Sequence, residues 1–166
     1  MLYQKEIVIS PKDTYASLHD KLMVLGGEAI VEALPLLEQG KLVPRKQEDA
    51  LSWYAHLIDK TMGELDFTKS AEILDRLIRG LNPWPSAYTT YHGKQLKVWE
   101  AEPVKSPKAG KPGEILAVEK DAVLVAAGSG ALRITSLQLS GKKRMSAHDF
   151  LLGVRMTPGE ILGCEE

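Results

Sequence analysis

The sequence predicts an α+β fold. A short strand and helices lead through a linker to a small antiparallel β-barrel with a C-terminal helix. Three observations predict it. First, Leu18, Leu22, Leu25 and Ala29 recur at helical spacing and share one face. Second, from Ala87 onward the helical period gives way to alternation, and five short strand-like runs follow at regular spacing with little helix among them. Third, the run Ile78-Arg79-Gly80-Leu81-Asn82-Pro83-Trp84-Pro85 separates the two patterns. Gly80 and two prolines end a helix there, and the prolines stiffen the backbone on both sides of Trp84.

The elements follow in chain order. Leu2–Ile9 alternates loosely and predicts a short strand. The next signal starts a helix: either Ser10 caps it with Pro11 in the first turn, or Asp13 caps a helix beginning at Thr14. Gly26-Gly27 and Pro35 predict a kink or two consecutive helices, and Gly40 a stop. Residues 41–69 carry the expected linker, with a short helix around Leu51–Lys60 and an extended piece over Gly63–Phe67. Ser70 opens a helix whose apolar face is Ile73, Leu74, Leu77 and Ile78. Tyr88 and Thr90 and, after the turn His92-Gly93, Leu96, Val98 and Glu100 predict the two strands of a hairpin. A Lys/Pro/Gly loop spans 105–112, and strands are expected at 114–118, 122–126 and 131–139. Ser146 caps a last helix to Gly153, with Asp149 three residues on.

Composition narrows the function classes. Of 166 residues, 44% are hydrophobic, which supports a packed core rather than disorder. The single cysteine, Cys164, excludes an internal disulfide and a four-cysteine metal site. No apolar stretch reaches the ~18 residues of a membrane span, so a soluble cytoplasmic protein without a membrane partner is expected. His19, His56, His92 and His148 lack metal-site spacing. Gly128-Ser129-Gly130 opens no helix and lacks a phosphate-loop ending, so it is read as a hairpin turn.

Charge is unevenly placed. Residues 1–68 hold 7 Lys and Arg against 11 Asp and Glu, whereas residues 69–159 hold 14 against 8. A basic back half fits a polyanion. Its strongest cluster is Lys142-Lys143-Arg144, set just before the helix start at Ser146, where cations and free N–H groups could together hold a phosphate. Arg76 and Arg79 lie i, i+3 on one helix and project together, and Lys94 and Lys97 flank a hairpin turn. Trp53, Trp84 and Trp99 sit beside apolar neighbours and are read as core anchors.

These motifs resemble a family. Leu77 to Thr89, Lys97-Val98-Trp99 and Gly141 to Phe150 resemble the C-terminal domain of methionyl-tRNA formyltransferases. Met1–Ile7 is similar to the strand that follows that family's Asp-Thr-Gly-Asp segment. Asp13-Thr14 with Leu18–Leu22 resembles the last helix of its catalytic domain. Tyr54 to Lys60 and Leu65-Asp66-Phe67 resemble its interdomain linker, although Lys60-Thr61 stands where Lys-Glu is usual and Leu65-Asp66-Phe67 where Ile-Asp-Trp is usual.

The resemblance implies a remnant of a doubly wound catalytic domain at 1–40, a linker at 41–69, an OB-like tRNA-binding domain at 70–159 and a tail at 160–166. The family passes a formyl group from 10-formyltetrahydrofolate to methionine on initiator tRNA. Its catalytic Asn, His and Asp have no position here, so the resemblance implies tRNA binding without catalysis and no cofactor held by this chain. It also implies that Lys60 lies near the tRNA acceptor end and that Lys97, Lys142, Lys143 and Arg144 contact the tRNA backbone. The alternatives are the same module from another 10-formyltetrahydrofolate-dependent formyltransferase or hydrolase, or a non-enzymatic protein-interaction module. An apolar face left open on residues 14–39 implies self-association.

Overall fold

A computed structural model describes residues 1–105 and 110–163; part of the 105–112 loop and the reading of Cys164 lie outside the described residues. The chain forms two compact units, Met1–Leu57 and Ile58–Glu166. The expected linker at 41–69 therefore straddles the division.

In the first unit, helix α1 runs unbroken over Tyr15–Glu38, through Gly26-Gly27 and with Pro35 inside it. Of the two expected outcomes, two consecutive helices are not found: the segment is one helix. The cap is neither Ser10 nor Asp13. Thr14 accepts from the Ser17 N–H and Ser17 returns the bond to the Thr14 N–H, a reciprocal capping box. Asp13 instead receives the Ser10 N–H (2.7 Å), the Ser17 hydroxyl (2.9 Å) and the Lys21 ammonium (2.6 Å). Lys21 first, then the Ser10 N–H, pulls its carboxyl down to about 2. Gly40, with φ +66°, follows the Gln39 cap as expected for a left-handed stop.

Residues 1–9 form no strand: among the described residues their backbone pairing is confined to Met1, which exchanges two bonds with Arg45 (2.9 and 2.8 Å). They are tied to α1 by side chains, Tyr3 and Lys5 both reaching Glu32. No residue of α1 is buried: Leu18 and Leu25 are half-buried, while Leu22, Val31 and Leu34 are exposed. The helix expected around 51–60 is also absent; a single 3-10 turn at Asp49–Leu51 stands there, and Leu51, Leu57 and Trp53 are exposed, so no apolar face is buried to support a helix.

The second unit begins with a 3-10 turn, Thr61–Gly63, and an extended piece that buries Leu65 and Phe67. Helix α2 (Ala71–Gly80) is capped by Ser70 and buries Leu74 and Ile78. Ile73, expected on that face, is half exposed, since it lies about 100° from Leu74 around the helix. The strands are β1 (Ala87–Tyr91), β2 (Lys94–Val104), β3 (Ile115–Val118), β4 (Val123–Ala126), β5 (Ala131–Leu139) and the short β6 (Met145–Ser146), and helix α3 spans Ala147–Gly153. His92 and Gly93 both take positive φ and make the two-residue turn between β1 and β2.

All pairings in the sheet are antiparallel, in the order β1-β2-β5-β4-β3, with β6 on β5. Helices α2 and α3 pack on it around Leu74, Ile78, Leu96, Ile134, Leu137 and Phe150. The expected barrel is not closed by strand pairing. Among the described residues β1 and β3 share no ladder, because β3 has only four residues and the returning C-terminal segment occupies its edge. Ile115 donates to the Glu160 carbonyl and Gly159 to that of Ile115, both at 2.8 Å. Leu162 donates to Gly113 (2.8 Å) and Gly163 to Thr90 on β1 (2.9 Å). Residues read as a tail thus stand between the two sheet edges, and Leu162 is 3% exposed within the core. Tyr91 ties the same segment down: its hydroxyl donates to Glu160 (2.9 Å), and burial with that bond pushes its pKa up to about 12.

Candidate nucleic-acid interface

The outer face of β2 and β5 gathers Lys97 and Arg144 about Trp99, and an irregularity in the register brings Glu100 to the same face. Val98 pairs with Leu137 and Glu100 with Ser136, so Trp99 is an extra residue on β2. One residue later the shift reverses, with Ala101 opposite Ile134. A bulge of this kind lets two successive residues face the same side. Leu96 and Val98 point into the core, Lys97 and Trp99 point out, and Glu100 joins them on the outside.

Trp99 is the hub of this face. Its indole N–H donates to Gln138 Oε1 (3.0 Å), and Gln138 Nε2 donates to the Lys142 carbonyl (2.8 Å). Asn82 Nδ2 donates to the Trp99 carbonyl (3.1 Å). Lys97 Nζ lies 5.7 Å from the ring centroid and the Arg144 guanidinium 5.0 Å from it. Both distances lie within the range over which an aromatic face attracts a cation. Arg144 also donates from Nε to Ser136 Oγ (3.1 Å) and pairs with Glu100. Lys97 Nζ is 3.5 Å from Ser86 Oγ. Two cations distant in sequence are thereby held about one indole, with a carboxylate beside one of them.

The remaining expected residues take different places. Lys142 and Lys143 are exposed on the turn after β5, next to Arg144. Lys94 is exposed at the start of β2, and Lys60 precedes the 3-10 turn at Thr61. Arg76 is exposed on α2, but Arg79 does not project with it. Its guanidinium turns back onto Asp75 one helical turn earlier, at 3.0 Å from Nε and 2.9 Å from Nη2. The expected pairing of the Lys142–Arg144 run with a free helix start is not found either. The Asp149 N–H is taken by Ser146 Oγ, and Asp149 places a carboxylate in that first turn.

None of the tryptophans is a core anchor. Trp53 is 82% exposed, Trp84 is 54% exposed, and Trp99 is half-buried on the outer face. Alternation places Trp99 outside with Lys97, on the face opposite Leu96 and Val98; it is the apolar neighbours in sequence that suggest a core anchor, and the bulge adds Glu100 to the outer face. Arg133 also went unnoticed. It is held by Glu119 (2.9 Å), Asp121 (2.8 Å) and Glu102 (3.1 Å), with Glu119 first raising its pKa. Three carboxylates around one guanidinium leave that stretch of the outer face net negative. The outer surface is therefore polarised, cationic around Trp99 and acidic around Arg133.

Among the described residues no helix is long and apolar enough to cross a membrane, and no group of His, Cys, Asp and Glu is arranged to hold a metal.

Comparison with known proteins places this architecture. The profile of the family described as formyl transferase, C-terminal domain, matches residues 57–155. The methionyl-tRNA formyltransferase of Geobacter metallireducens is 47% identical over 163 residues, covering 98% of this chain and 52% of that protein. That of Alkaliphilus metalliredigens is 42% identical over 166 residues, covering 100% and 53%. That of Bacillus subtilis is 40% identical over 164 residues, covering 98% and 52%. The chain spans about half the length of the curated relatives it matches. Among solved structures, a variant of HypX from Aquifex aeolicus superposes with a TM-score of 0.65 at 23% identity, over 89% of this chain and 28% of that one. HypX in complex with tetrahydrofolic acid superposes with a TM-score of 0.57 at 25% identity, over 75% and 22%.

Proposed function

The chain belongs to the formyl transferase C-terminal domain family, and from that membership we propose that it is the tRNA-docking part of a methionyl-tRNA formyltransferase. The enzyme it serves would formylate the methionine of initiator tRNA in translation initiation, in the cytoplasm. One observation carries the binding assignment: Lys97 and Arg144 gather at Trp99, with Lys142 and Lys143 exposed alongside. A lone surface cation is a weak ligand for RNA. Several held on one face can neutralise consecutive phosphates and release their counterions. The acidic stretch around Arg133 repels the same backbone, which sets the direction in which a strand can cross the sheet. In this reading the sheet, with residues 159–163 set between β1 and β3, is an OB-like barrel. Lys60, Lys94 and Arg76 add outlying cations.

In this reading the 10-formyltetrahydrofolate of a whole enzyme is not held by this chain. A cleft of about 380 Å³ in the first unit is lined by Met1, Leu2, Tyr3, Gln4, Lys41, Leu42, Val43 and Arg45. It offers no carboxylate to receive the N–H donors of a pterin. Binding is the function assigned to this chain.

The test is a salt-dependent titration of labelled initiator tRNA. Each cation that contacts a phosphate contributes about one to the slope of log K against log salt. The Lys142→Ala/Lys143→Ala/Arg144→Ala variant should bind more weakly and with a flatter slope. A variant that keeps both the affinity and the slope of the wild type would remove these residues from the interface.

A further inference from the structure

Trp84 is an exposed indole that the fold displays rather than hides. It stands on a loop whose backbone is fixed from both ends. Ser86 donates from N to the Leu81 carbonyl (3.0 Å) and from Oγ to the Pro83 carbonyl (2.9 Å). Asn82 on one side reaches the Trp99 carbonyl, and Ser86 on the other reaches Lys97. The loop is thus tied at two points to the strand that carries the cation cluster. Trp99 is occupied by its cations and by Gln138, whereas Trp84 has no ring or cation partner among the described residues. Of the nearby cations, Lys97 reaches the loop itself through Ser86 Oγ (3.5 Å), and it shares Trp99 with Arg144.

We infer that Trp84 is a stacking platform for one unpaired base of an RNA strand whose phosphates run over the Lys97–Arg144 cluster. This deepens the tRNA reading and rests on it. The chemistry is that of single-strand recognition: a cationic track holds the backbone and an aromatic face receives a base. A platform on a backbone already fixed loses little freedom when the base arrives. An apolar protein partner would equally cover an indole, but the Lys97 and Arg144 cations held next to the loop favour a polyanion over a generic protein surface. The division of labour follows from the contacts: Trp99 fixes the cations in place, and Trp84 meets the nucleotide.

The experiment compares wild type, Trp84→Ala and Trp84→Phe by fluorescence anisotropy against three probes: initiator tRNA, a short poly-A strand and a blunt RNA duplex. Trp84→Ala should weaken binding to tRNA and to the single strand by about tenfold. It should leave duplex binding and the salt slope unchanged, since no phosphate contact is lost. Trp84→Phe, which keeps a ring, should recover much of the loss, and near-ultraviolet circular dichroism checks that both variants are folded. If Trp84→Ala binds all three probes like wild type while binding stays salt-dependent, the platform is refuted and the tRNA reading stands; the exposed indole then belongs to a protein contact. If wild type binds none of the probes at low salt, both fail. An equal loss on duplex and single strand would overturn the stacking role, because it would mean that the substitution disturbs the cation track.

Discussion

Gly128→Ala tests how helix α2 is seated on the sheet that carries the interface. The turn Gly128–Gly130 passes so close to the start of α2 that a Cβ on Gly128 would stand 1.9 Å from the Thr68 carbonyl oxygen and 2.7 Å from its carbon. Ordinary contact needs more than 3 Å, and both neighbours are backbone. No rotamer relieves the overlap, so the turn must move by ~1 Å or more. That movement breaks the bonds joining the turn to α2: Gly128 N–H to the Lys69 carbonyl (2.8 Å) and Ala71 N–H to the Ser129 carbonyl (3.0 Å). Each is worth about 1 kcal/mol net, and an orphaned donor costs a further ~1 kcal/mol or more. The expected destabilisation is therefore ~2–4 kcal/mol.

Gly141→Ala supplies the control. Gly141 has φ +76° but nothing within 4 Å of a Cβ, so its substitution costs only the left-handed backbone, ~1–2 kcal/mol. Urea unfolding followed by tryptophan emission reports on the second unit through Trp84 and Trp99, and Trp53, already largely exposed, changes little. At a slope of about 1.5 kcal/mol per molar urea, the midpoint of Gly128→Ala should fall by ~1.5–2.5 M. A Gly128→Ala protein no less stable than Gly141→Ala would refute the close-approach argument.

Two further perturbations probe the charges. Glu100→Gln removes the carboxylate beside Arg144 and should raise tRNA affinity about two- to fivefold at low salt, since exposed ion pairs are worth ~0.2–1 kcal/mol; unchanged affinity in a low-salt titration would show that Arg144 does not face the RNA. Asp13 has its carboxyl held at about 2 in the folded chain, against an unfolded value near 3.8. A depressed carboxyl contributes stability above the unfolded value and loses it as pH falls through the folded one. Helix content measured by far-ultraviolet circular dichroism should therefore fall between about pH 4 and pH 2, and Asp13→Asn should start lower and lose this pH dependence; identical acid profiles would dismiss the Asp13–Lys21 contact as a support of α1.

The strands, the helix α3 with its Ser146 cap and the stop at Gly80 were legible because each rests on local chemistry: alternation, a capping side chain, a backbone that cannot continue. Errors arose where local signals needed a partner that the pattern did not name. Leu2–Ile9 has strand-like residues but no neighbouring strand, and Leu51–Lys60 has helical residues but nothing to bury them against. Gly26-Gly27 weakens a helix without ending it, since propensity costs of about 1 kcal/mol per glycine are spread over a helix of 24 residues.

The interface was legible as composition but only in part as geometry: alternation puts Lys97 and Trp99 on one face, whereas the place of Glu100 depends on an inserted residue and that of Arg144 on a contact from far along the chain. Without the bulge, Trp99 would pair across to β5 in step and Glu100 would turn inward beneath the sheet. With it, Glu100 joins Lys97 and Trp99 on the outer face, where the indole collects Lys97 from its own strand and Arg144 from beyond the next one, and Glu100 offsets part of the resulting charge. A cluster built this way is a consequence of register, which depends on both strands at once. The Lys142–Arg144 run is basic on sight, whereas apolar sequence neighbours suggest a core place for Trp99, the residue that Arg144 packs against. Arg79 is likewise offset, by Asp75 one turn away on its own helix. The charge this face can offer a polyanion is what remains after such internal pairing, with Glu100 set against Arg144 and Asp75 against Arg79.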